Sequence, residues 1–122
     1  MPKEYTDLVA AMKALTQGEA PKAVITLPVA EDGWNTRPDA DSYGVISLDF
    51  EVGALHGDNV KVARSYEGSV DLFSRSRDGS GWVPLICGTL TSYCDGAWSL
   101  NSHQYERENG IFHWEWVFEV EG

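Results

Sequence analysis

The chain has 122 residues, 43% hydrophobic and 23% charged, which suits one globular domain with a real core and is too short for two. Nineteen acids against nine bases give a net charge of −10, which argues against binding nucleic acid by charge neutralisation, since that needs a basic face. No apolar run nears the roughly 18 residues of a membrane span, and Met1-Pro2-Lys3-Glu4-Tyr5 opens an amphipathic stretch rather than a signal peptide, so an intracellular location is expected.

Tyr5, Leu8, Met12 and Leu15 recur at helical spacing, with Val9 and Ala11 widening the stripe. They predict a first helix over residues 4–17, stopped by Gly18 and Pro21. Lys22 to Leu27 reads as a short strand closed by Pro28. Residues 30–41 form a polar loop that carries Trp34. Tyr43 to Val52 alternates as a second strand, with Ile46, Leu48, Phe50 and Val52 on one side and Ser47, Asp49 and Glu51 on the other. A third strand is expected over 61–74, bent at Gly68, with Val70 and Leu72 inward and Asp71 outward.

Arg75 to Gly81 breaks that strand. Trp82, Leu85, Ile86, Thr89, Leu90, Tyr93 and Cys94 then follow helical spacing, and Pro84 suits a first turn. Gly88 weakens this second helix by about 1 kcal/mol relative to alanine. Asp95-Gly96 ends it. From Trp98 to Val120 the chain reads as a β-hairpin turning at Glu108-Asn109-Gly110, since Asn-Gly is a strong hairpin signal. Its second strand puts Phe112, Trp114, Trp116, Phe118 and Val120 on one face, and Ile111, His113, Glu115, Val117 and Glu119 on the other. The expected order is α-β-β-β-α-β-β over residues 1–122. That is a single α+β domain whose mostly antiparallel sheet carries both helices on its aromatic face.

Candidate chemistry is sparse. Cys87 and Cys94 are seven positions apart, roughly 10 Å along a helix and too far for a disulfide. They are read as reduced thiols, and their spacing does not suit zinc. His56, His103 and His113 are the histidines; His103 and His113 flank the hairpin turn and can approach across the strands, with His113 read as a solvated residue. The sequence contains no nucleophile elbow, phosphate-cradling loop or metalloprotease motif. Asp39 and Asp41, with Glu31 and Asp32, offer calcium-type ligands without the spacing of an EF-hand, so turn and cap chemistry is the better reading. Thus no catalytic residue, cofactor or metal is expected. Surface candidates remain: Trp34, because loop tryptophans serve as interface anchors, and Arg75 and Arg77, which would share one side of an extended segment. Trp82 and Trp98 are read as core.

Trp98-Ser99-Leu100 and Tyr105-Glu106-Arg107-Glu108-Asn109-Gly110-Ile111-Phe112-His113-Trp114 carry a pattern of tyrosine-glutamate, a short polar turn with glycine, then histidine and an aromatic strand. With Gly68-Ser69-Val70-Asp71-Leu72-Phe73-Ser74 ahead of the second helix, the chain resembles the tail-terminator and head–tail joining (neck) proteins of long-tailed bacteriophages and prophages. The likeness covers most of the chain as a layout. It implies a non-enzymatic virion part, in the virion or in host cytoplasm during assembly, that self-associates into a ring, often six-fold. Such a ring caps the tail tube, docks the head connector, and lets DNA pass without specific binding. Glu106, Glu108, Glu115, Glu119 and Glu121, set against Arg107, would repel phosphates if they lined that channel. Glu115 and Glu119 therefore join the candidate interface. The alternative expectation is a small acidic binding or immunity-type domain that recognises a basic protein.

Overall fold

The computed structural model describes residues 3–18, 25–31, 40–52 and 65–121. Its elements are helix α1 (Lys3–Lys13), strands β1 (Thr16–Gln17), β2 (Ile25–Thr26), β3 (Val29–Glu31), β4 (Ser42–Val52) and β5 (Ser65–Ser74), helix α2 (Trp82–Cys94), and strands β6 (Trp98–Glu106) and β7 (Ile111–Glu121). The main sheet runs β3-β4-β5-β7-β6. All its pairings are antiparallel except β3 with β4. The α+β class and the mostly antiparallel sheet are therefore those expected. No helix among the described residues is long and apolar enough to cross a membrane.

The N-terminal third departs most from expectation. α1 stops at Lys13 rather than residue 17: the Leu15 N–H donates to the Met12 carbonyl at 3.3 Å, a tightened last turn. The freed Thr16–Gln17 pairs with Ile25–Thr26 in a separate two-stranded ribbon, and the Leu27 N–H reaches back to the Leu15 carbonyl at 3.2 Å. The strand expected over 22–27 thus shrinks, among described residues, to part of this ribbon. The 30–41 loop begins inside the sheet, because β3 lies parallel to β4 and the Gly44 N–H donates to the Pro28 carbonyl at 2.8 Å. Residues 61–64 of the expected third strand lie outside the described residues.

Beyond residue 40 the alternation dictates the structure. Ile46, Val70, Leu72, Trp114, Trp116, Phe118 and Val120 are buried on one face of the sheet. Tyr5, Leu8, Val9 and Met12 of α1, and Trp82, Ile86, Leu90 and Cys94 of α2, close over them as one core. Tyr5 stacks on Phe118 with ring centroids 6.4 Å apart. Opposite Gly68, where a bend was expected, the pairing of β4 with β5 is irregular. The β4 register slips between Leu48 and Phe50, so that Phe50 pairs with Glu67. Gly68 itself lies under the Phe118 ring: a Cβ there would come within 2.6 Å of Phe118 Cζ and 2.3 Å of the Ser47 carbonyl oxygen. The hairpin closes through Arg107–Gly110, where the Gly110 N–H donates to the Glu106 carbonyl at 2.9 Å. Gly110 has φ +66°, a conformation glycine adopts without strain.

Candidate interaction surface

Among the described residues β6 ends the sheet, bonded on one side to β7. It is nine residues long, and six of them are exposed. Its sequence, Trp-Ser-Leu-Asn-Ser-His-Gln-Tyr-Glu, carries a single charge, at Glu106. An edge strand of this length presents a row of unpaired backbone donors and acceptors, and proteins usually blunt such edges with lysine, proline or very short strands. Here the blunting device is one bulge. The register with β7 slips between Leu100 and Ser102, leaving Asn101 as the extra residue.

The slip also decides which side chains line the edge. Leu100 pairs with Trp116, His103 with Trp114 and Tyr105 with Phe112, so all three share the helix-bearing face. His103 stacks on Trp114 at 4.4 Å, and Tyr105 leans on Phe112 at 4.7 Å. Leu100 and Tyr105 are each 51% exposed. Trp98 anchors the start of the strand, its indole N–H donating to Thr91 Oγ1 of α2 at 3.2 Å.

The opposite face of the sheet is acidic. Asp71 stands directly across from Glu115, and Glu67 from Glu119, which are like-charge cross-strand pairs that cost stability unless a cation joins them. His113 relieves one of them: its Nε2 lies 2.7 Å from Asp71 Oδ1, both side chains being 18% exposed. The ring stacks on Phe73 at 4.2 Å, and Phe73 stacks on Tyr43 at 4.9 Å. The hydrogen bond to Asp71 and the charges of Asp71, Glu106 and Glu115 raise the His113 pKa above its ordinary value, outweighing burial. Glu115 accepts a hydrogen bond from Asn101 Nδ2.

Set against the residues singled out from sequence, the surface is partly different. His113 is not a solvated residue: its ring is largely covered and hydrogen-bonded to Asp71. It does not meet His103, because the register sets His103 opposite Trp114 and Gln104 opposite His113, on opposite faces. Glu115 and Glu119 do share a surface, with Glu119 exposed and Glu115 half-buried. Arg75 and Arg77 are exposed but sit in a bend and turn, not an extended segment. They follow Ser74, which is level with Phe112, so Glu119 lies roughly 24 Å further along β7. Glu119 is therefore far from both arginines. Trp34, His56, Asp32 and Asp39 fall outside the described residues. Asp41 serves turn chemistry: its Oδ2 accepts from Ser80 Oγ at 2.6 Å and from Ser76 Oγ at 3.4 Å, and its carbonyl accepts from the Arg75 N–H at 2.9 Å. Trp82 is core, as expected.

Both cysteines are free. Burial pushes the Cys94 pKa up to about 11. Burial also raises that of Cys87, partly offset by a hydrogen bond with Trp116. Among the described residues no group of three or more histidine, cysteine, aspartate or glutamate side chains is placed to hold a metal ion. Two shallow recesses hold carboxylates, one of about 230 Å³ between Glu67 and Glu119 and one of about 400 Å³ at the hairpin turn. Neither is lined by a histidine.

The bare edge, with Leu100, His103 and Tyr105, was missed in the sequence. A signal for it existed, since nine strand residues with one charge are unusual for a position open to water. No protein-family model matches the chain, and no curated protein matches it by sequence.

Proposed function

We propose that this protein is a non-enzymatic assembly part of a phage or prophage virion, a tail terminator or head–tail joining component that works by self-association into a ring. The observation that carries this reading is the long, nearly uncharged edge of β6, open to a further strand. A chain of net charge −10 stays dispersed by repulsion, so an uncharged edge is the place where copies can meet without that penalty. The acidic face formed by Glu67, Asp71, Glu115 and Glu119 suits a surface past which DNA moves without sticking. Light scattering at low and high concentration, together with electron microscopy of the concentrated protein, tests the reading. Ring-shaped particles, or association with co-expressed products of the adjoining genes, are expected. A chain that stays monomeric and binds none of those products overturns it.

The facing acids on β5 and β7 favour a second reading, in which the same face recruits a basic protein and charge complementarity speeds association. Capture of one basic partner, lost as salt is raised, would favour it over the assembly reading.

A further inference from the structure

We infer that β6 pairs antiparallel with β6 of a second copy over Ser102–Glu106, with Gln104 on the two-fold axis. The inference deepens the self-association in the reading above and does not depend on the ring.

Charge matching points to a second copy as the occupant. Of the five residues of the joint only Glu106 is charged, in a chain of net charge −10, so this edge adds little like-charge repulsion when two copies meet there and offers a cationic partner less than the acidic face does. In this register Ser102 faces Glu106 of the other copy, and His103 faces its Tyr105. Like charges are kept apart, because the two Glu106 residues are four strand positions from each other, about 14 Å. That exceeds the roughly 8 Å screening length at physiological salt. The side chains also match: His103 and Tyr105 share one face of β6, so each pairing sets an imidazole against a phenol, a cross-strand contact of the kind that stabilises sheets. The row Trp114, His103, Tyr105 and Phe112 then continues into the second copy. The bulge at Asn101 limits the joint. It bends the strand where the partner's Arg107–Gly110 turn begins, which confines pairing to the five residues beyond it.

The contact is isologous, the same patch on both copies. It gives a pair and is not itself a ring contact; a ring with one face for a tail tube and another for a head connector needs a separate head-to-tail contact. A joint this short is weak by itself, below the size of a stable standard interface.

The two-fold axis makes the inference testable with a single cysteine. Residues facing each other in an antiparallel pair have Cα atoms about 4.5–5.5 Å apart, within the span of a disulfide. Under mild oxidation Gln104→Cys should give a covalent dimer, while wild type and Ser99→Cys, outside the joint, should not. Gln104→Lys places two like charges about 5 Å apart and should weaken self-association about fourfold at low salt, the fold being checked by circular dichroism. A Gln104→Cys chain that self-associates yet forms no covalent dimer would overturn the two-fold joint and point to head-to-tail contacts. If Gln104→Cys cross-links while no ring forms and no product of the adjoining genes binds, the joint stands and the virion reading falls. Loss of folding in Gln104→Lys alone leaves the cross-link as the deciding result, and equal cross-linking of Ser99→Cys counts against the register.

Discussion

Gly68 and Gly88 offer the same substitution with opposite expected signs. At Gly68, in the middle of β5, an added methyl would sit 2.3 Å from the Ser47 carbonyl oxygen and 2.6 Å from Phe118 Cζ. The first is sheet backbone and cannot swing aside. Phe118 is 2% exposed and packed beneath α1, so moving its ring disturbs the core. Overpacking of this kind costs about 2–3 kcal/mol, and at about 3–5 °C per kcal/mol for a domain of this size Gly68→Ala should melt roughly 6–15 °C lower. At Gly88, inside α2, a methyl meets nothing within 4 Å. There the gain in helix propensity, about 1 kcal/mol, should raise the melting temperature by roughly 3–5 °C. Thermal melts of wild type and both variants, with urea titrations to confirm two-state unfolding, read the contrast. Gly68→Ala melting at or above wild type would refute the close approach of Phe118 to β5, and with it the packing of α1 on the sheet.

Other outcomes follow from the same packing and charges. Trp116 is 1% exposed at the centre of the core; Trp116→Ala should cost about 3–5 kcal/mol, a large share of the roughly 5–15 kcal/mol of a typical domain, so by circular dichroism the variant should melt roughly 9–25 °C lower. The folded pKa of His113 is raised above its ordinary 6.5. The ion pair's contribution is therefore fully present below that value and is lost as pH rises through the higher folded pKa. Melting temperature should fall across that window. Asp71→Asn should flatten the fall and move the His113 titration, followed by NMR, to lower pH. An unchanged titration would remove Asp71 as its cause. Finally, with Cys94 pushed to about 11 and Cys87 raised, the native protein should react slowly with a thiol reagent at pH 8, and both thiols should react once it is unfolded.

The sequence made the C-terminal two-thirds legible because side-chain alternation there is strict. Trp114, Trp116, Phe118 and Val120 can be buried together on only one sheet face, and Trp82, Ile86, Leu90 and Cys94 need a helix to share one stripe. What stayed hidden were single-residue slips. The bulges near Asp49 and at Asn101 change no composition, yet each resets which residues share a face beyond it. The second puts Leu100, His103 and Tyr105 together and separates His103 from His113. The early end of α1 was hidden for another reason. Leu15 continues the helical stripe, but Thr16 and Gln17 gain more from pairing with Ile25 and Thr26, a partner set by tertiary contact rather than local propensity. The Asp71–His113 pair is likewise a diagonal across two strands, visible only once the register is known.

Copies of this chain that meet at the β6 edge must gain mass as concentration rises. Sedimentation equilibrium, run from low concentration up to the solubility limit, measures this directly. Reversible growth is expected from a 13.5 kDa species to even-numbered multiples, diminished in Gln104→Lys. A folded wild-type protein that remains at 13.5 kDa throughout, or one whose association is indifferent to that substitution, would contradict it.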